Sequence, residues 1–94
     1  MPTARSTFET KKAPRYLQQL CKHFAHKVDV RYGSDTGQVD FPLAQADLTA
    51  HSDRLEFEVR AESRDGLERT KRILEDHITR FAFRENPKTL EWSD

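Results

Sequence analysis

Apolar and polar residues alternate along most of this chain, and where the alternation stops an apolar stripe at helical spacing replaces it. Ala4, Ser6, Phe8 and Thr10 point one way while Arg5, Thr7, Glu9 and Lys11 point the other, which predicts a first strand over 4–11. Pro14 suits the first turn of a helix, where its missing N–H has no partner to lose. Leu17, Leu20, Cys21, Phe24 and Val28 then form one stripe, predicting a helix over 14–26. The alternating Val28–Tyr32, the turn-forming cluster Gly33–Gly37 and the resumed alternation of Gln38–Phe41 read as a hairpin that Pro42 closes. Ala46, Leu48 and Ala50 supply the inward positions of a fourth strand over 45–51, with Ser52-Asp53 as the next turn. Arg54–Glu62 alternates without a break and is the fifth. Asp65 followed by Glu68 resembles a capping box, and Leu67, Leu74, Ile78 and Phe81 give a second helix over 65–82 its buried stripe. Asn86-Pro87 breaks the chain after this helix. Leu90-Glu91-Trp92 is a short alternating piece expected to fold back over an edge of the core.

An antiparallel meander with one apolar face needs a cover, and two amphipathic helices supply it. The expected fold is an α+β two-layer sandwich in β-α-β-β-β-β-α order, with both helices on one face of an antiparallel sheet. That order matches one half of the TATA-box-binding-protein fold; a ferredoxin-like variant with an extra hairpin is the alternative. Architecture of this kind carries no function by itself.

Length and charge narrow the picture further. The 94 residues make a single domain, 1–94, with no internal repeat or linker. A chain of this size buries roughly 60–65% of its unfolded surface, enough for one core. Charged residues make up 34% of the chain, yet 16 Lys and Arg balance 16 Asp and Glu. The helix-free face would show Glu9, Lys11, Asp29, Arg31, Asp40, Asp47, Arg54, Glu56, Glu58 and Arg60. Such a face has neither the basic excess that phosphates demand nor aromatics on which bases could stack, so no nucleic-acid partner is expected. A lone cysteine excludes an intramolecular disulfide, and the sequence shows neither a signal h-region nor a membrane span. A cytoplasmic setting without membrane contact is expected.

The candidate chemistry gathers on the helices. Cys21-Lys22-His23-Phe24-Ala25-His26-Lys27 holds the only cysteine and two of the four histidines. At about 100° per residue, Cys21 sits in the apolar stripe while His23 and His26 point roughly 160° and 140° away, so the thiol cannot share a metal with them. The two histidines are about 60° apart and one turn displaced, which suits solvated or capping roles, an anion contact, or a metal completed by His77 or His51. Two ligands alone are not a site, and no metal or cofactor is expected. His77 falls at the margin of the second stripe, near Thr70, Ile73, Leu74 and Phe81; partial desolvation there makes it the best acid/base candidate. His51 reads as exposed. Arg80, Arg84 and Glu85 bracket Phe81-Ala82-Phe83, a run that caps the helix and ties the tail, with an Arg–Glu pair, or else docks a carboxylate or phosphate. The candidate ligand-binding residues are therefore His23, His26, His77, Arg80 and Arg84. No Gly-rich phosphate loop, G-x-S-x-G, H-E-x-x-H or C-x-x-C is present, so no well-marked enzyme class is indicated.

The Cys21–Lys27 stretch, Gly37-x-x-x-Phe41-Pro42, Leu48-x-Ala50, His77-x-x-Arg80-Phe81-Ala82-Phe83-Arg84-Glu85 and the late Trp92 resemble the bacterial family called domain of unknown function 2218. The resemblance spans nearly the whole chain and transfers no catalytic residue. Some members of that family occur fused to or near flavin-dependent siderophore-interacting reductases. By that resemblance, the expectation is a non-enzymatic accessory or ligand-binding module linked to siderophore or iron metabolism, a monomer or weak homodimer. Its partner would be such a reductase or a small anionic ligand. Rival readings are a small enzyme using His77 or the His23/His26 pair, and an interaction domain that pairs through the Trp92 tail or an open sheet edge.

Overall fold

The computed structural model describes residues 1–85 and 90–93, and its elements follow the expected order. They are β1 (Thr3–Glu9), α1 (Ala13–Phe24), β2 (Asp29–Tyr32), β3 (Thr36–Asp40), β4 (Ala44–Ala50), β5 (Arg54–Ala61) and α2 (Arg64–Phe81), with a single 3-10 turn at Phe83–Glu85. The five strands form one antiparallel sheet in the order β1-β5-β4-β3-β2. The α+β sandwich stands, in the β-α-β-β-β-β-α order rather than that of a ferredoxin-like variant.

Alternation does the folding work. Along β5, Leu55, Phe57, Val59 and Ala61 are buried while Arg54, Glu56, Glu58 and Arg60 remain part-exposed, so a slip of one residue would turn every apolar side chain into water. Phe57 stands opposite Ser6 on β1 and Leu48 on β4, and Val59 opposite Ala4 and Ala46, which carries the apolar rows across the sheet. From α1, Leu17, Leu20 and Cys21 enter this core fully buried, and from α2 Leu67, Leu74 and Ile78 do the same. Tyr16 and Ala13 also belong to the buried stripe of α1, which is wider than the spacing predicts.

Three local details differ from the sequence pattern. Gly37 lies inside β3 rather than in the turn, because the hairpin closes earlier, with Gly33 N–H bonded to the Thr36 carbonyl at 2.8 Å. The α2 cap is Ser63, not Asp65: its Oγ accepts from the Gly66 N–H at 3.0 Å and satisfies one of the orphan donors of the first turn. Lys11 sits in the turn before α1 and does not join the helix-free face. The Asn86-Pro87 break lies outside the described residues.

The tail does fold back. Arg5 and Ser93 exchange both main-chain hydrogen bonds, at 3.0 and 2.9 Å, along the free edge of β1. Leu90 is buried, the Ser6 hydroxyl donates to the Glu91 carbonyl, and the Trp92 ring packs against Phe57 with its N–H on Glu75. Among the described residues, no helix is long and apolar enough to cross a membrane.

Candidate functional site

The last turn of α1 and the C-terminal half of α2 run side by side, and two histidines from positions 54 residues apart meet between them. The Nε2 atoms of His23 and His77 are 3.2 Å apart and their ring centroids 4.8 Å apart. Phe24 and Phe81 flank the pair: Phe24 lies 4.9 Å from the His77 ring, and Phe81 lies 5.7 Å from that of His23. Aromatic contact on both sides fixes the ring orientations and excludes water from part of each imidazole.

The hydrogen bonds decide the tautomers. Nδ1 of His77 is 2.7 Å from the Ile73 carbonyl oxygen, and a carbonyl can only accept, so the hydrogen sits on Nδ1. The two Nε2 atoms stand within hydrogen-bond reach, so one of them donates its hydrogen to the other. Desolvation lowers the pKa of His23, and the nearby charges of His77, Lys27, His26 and Arg80 act in the same direction.

Of the five residues proposed from sequence, His23 and His77 are in contact. His26 lies beyond the end of α1, exposed, its main-chain N–H bonded to the His23 carbonyl; Arg80 is exposed on α2. Both act on His23 through their charge. Arg84 is exposed in the 3-10 turn, with its guanidinium 5.7 Å from the centre of the Phe83 ring. His23 is half-buried, not solvated, because α2 covers the flank that a helical projection onto the sheet leaves open. His51 is half-buried too, its Nε2 3.1 Å from a Glu56 carboxylate oxygen and remote from the other imidazoles. Among the described residues, Glu85 bonds to Thr10 and Tyr16 rather than to an arginine. Cys21 is fully buried and burial pushes its thiol up to about 11, which removes it from nucleophilic chemistry at neutral pH. Among the described residues, no three His, Cys, Asp or Glu side chains stand together to hold a metal ion.

The opposite face of the sheet is a polar lattice. Arg5 binds Glu58, Glu58 and Asp47 both bind Arg60, Gln38 donates to Asp47, and Arg31 donates to Gln38. This chain of contacts crosses all five strands. A cavity of about 280 Å³ on this face is lined by Arg5, Asp47, Thr49, Glu56 and Glu58; Arg5 pairs with Glu58 within it, while Asp47 and Glu56 are held by Arg60 and His51, outside the lining.

Fold and site together define a small antiparallel α+β module with an imidazole pair clasped between its two helices. The chain belongs to the family described as uncharacterized proteins conserved in bacteria, domain of unknown function 2218, whose model matches residues 5–93. It is similar to PA4090 from Pseudomonas aeruginosa, solved by NMR, with a TM-score of 0.83 and 30% identity over 99% of this chain and 96% of that one. No protein of curated function matches the chain.

Proposed function

We propose that this protein is a non-enzymatic accessory module that binds a small ligand at the His23–His77 pair. One observation carries the reading: two imidazoles from separate helices present their Nε2 atoms to each other at 3.2 Å, half-buried, at a helix–helix boundary that packing alone would fill with apolar side chains. The exposed Arg80 and the Lys27 ammonium add positive charge beside the pair, which suits an anionic ligand. The resemblance of the chain to domains that accompany flavin-dependent siderophore-interacting reductases supports a cytoplasmic role in siderophore or iron handling, with a ferric siderophore as the ligand and such a reductase as the partner.

Titration with ferric siderophores, phosphate and citrate, followed through the imidazole carbon-bound protons by NMR, tests the reading. The resonances of His23 and His77 are expected to move while those of His51 stay in place. Absence of any shift at millimolar ligand would overturn it.

A further inference from the structure

We infer that the β2 edge of the sheet is a self-association surface, on which a second copy of this chain seats its own β2 antiparallel about a two-fold axis through Val30.

The two edges of the sheet differ. The returning tail covers β1 through the Arg5–Ser93 bonds, whereas β2 ends the other side with no strand beyond it among the described residues. An open edge is a template for another strand, and β2 carries neither the proline nor the lysine that commonly blunts one. Its register shows which main-chain groups are free. The Gly33 N–H bonds to the Thr36 carbonyl, one step beyond Tyr32 opposite Gly37 and two beyond Arg31 opposite Gln38. Bonded and non-bonded pairs alternate in an antiparallel ladder, so Asp29, Arg31 and Gly33 turn their main-chain groups toward β3, while Val30 and Tyr32 turn theirs outward. The N–H and C=O of one trans peptide point opposite ways, so the Val28 carbonyl also faces out. A two-fold at Val30 matches these groups: Val30 N–H meets the Val30 carbonyl of the second copy, and Tyr32 N–H meets its Val28 carbonyl, each bond made twice by symmetry.

Charge selects that register. With Val30 at the axis, Asp29 stands opposite Arg31 of the second copy and Arg31 opposite its Asp29, as non-bonded pairs whose side chains approach most closely. Centred one residue either way, Asp29 would face Asp29 or Arg31 would face Arg31, and like charges directly opposite destabilise a sheet. A larger shift toward the C-terminus runs the strand into the Ser34-Asp35 turn. Asp29 also lacks a cation at home. It faces Asp40 on β3; Gln45 donates to Asp40, and among the described residues no cation pairs with Asp29. The second copy's Arg31 would supply one, as Arg60 does for Asp47 and Glu58. The helix-covered face agrees. Val30 stands opposite buried Val39, and Val28 and Val30 pack half-buried on the core, beside a Tyr32 that is 40% exposed. In the paired register Tyr32 lies against the second copy's Val28 and Val30 against its Val30, so the apolar row continues from one sheet into the next.

The test measures sedimentation of the full chain across a concentration series. A monomer–dimer equilibrium is expected. Asp29→Arg and Arg31→Asp should each weaken it by about tenfold or more, because each turns two attractive pairs into repulsive ones. Mixed together, the two variants should associate again, and the double variant Asp29→Arg/Arg31→Asp should self-associate like the native chain. Amide exchange supplies a second readout: Val30 and Tyr32 should gain protection as concentration rises, while Arg31, bonded to β3, is protected throughout. Circular dichroism checks each fold, and if a reversal fails to fold, the exchange pattern of the native chain carries the test. A chain that stays monomeric to millimolar concentration would overturn the inference. So would a dimer that both single reversals leave intact, or one that forms with no change at the Val30 and Tyr32 amides.

Discussion

At Gly37 a β-carbon would stand 2.7 Å from the Cys21 Sγ, closer than packed atoms allow. Gly37 is required there for space, since it lets α1 settle onto β3 with the thiol between them. Gly37→Ala should cost about 1–3 kcal/mol through overpacking, measured by urea unfolding. Adding Cys21→Ala should return part of that loss, a coupling that the double-mutant cycle reads directly. The sequence shows a glycine in a turn-forming cluster and a cysteine on an apolar stripe; their contact, across two elements, is not written in either local pattern. Tyr16 is a second such residue, buried and donating its hydroxyl to the Glu85 carboxylate. Its pKa is raised, first by desolvation and then by Glu85. A raised folded-state value means that Tyr16 stabilises the fold fully below its ordinary value near 10 and loses that contribution as pH climbs above it. Melting temperatures measured on either side of that value should therefore fall more steeply for the native protein than for Tyr16→Phe.

Between elements, the strongest example is the sheet's polar face. Asp47 and Glu58 are directly opposite each other on β4 and β5, a like-charge pair that destabilises a sheet unless something bridges it. Arg60 does so, at 2.8 Å from Asp47 and 2.9 Å from Glu58, with its side chain about one-third exposed. Arg60→Met should cost about 1 kcal/mol, because it removes two part-exposed pairs and leaves the acids facing each other. Denaturation in added salt should recover much of that loss, since screening weakens the remaining repulsion. Alternation made this face legible from the chain alone, apart from Lys11. The imidazole pair was less so. The margin position of His77 follows from the α2 stripe, but His23 points away from the α1 stripe by angle. Only the lateral packing of one helix on the other turns that outward residue inward. A helical projection records the direction to the sheet and carries no information about a neighbour alongside.

For the molecule as a whole, the tail closes what the meander leaves open. Trp92 reaches from the β1 edge to Phe57 in the sheet and Glu75 on α2, and the Lys71 ammonium lies 5.9 Å from its ring. One half-buried side chain thus ties together both layers of the sandwich. Trp92→Ala should cost about 2–3 kcal/mol, below the 3–5 typical of a fully buried tryptophan. Its tryptophan fluorescence signal disappears with the residue, so the loss is best followed by circular dichroism. The leucine–tryptophan alternation announced a returning segment, but which of the two sheet edges, β1 or β2, it joins is not written in that pattern. The pairing of Arg5 with Ser93 has a topological meaning beyond stability. The two ends of the described chain are neighbours, so a short peptide could join them into a ring, and the ring could be reopened at the exposed Ser34-Asp35 turn. The fold is then a closed circuit, and where its thread is cut matters little to the clasp between its helices.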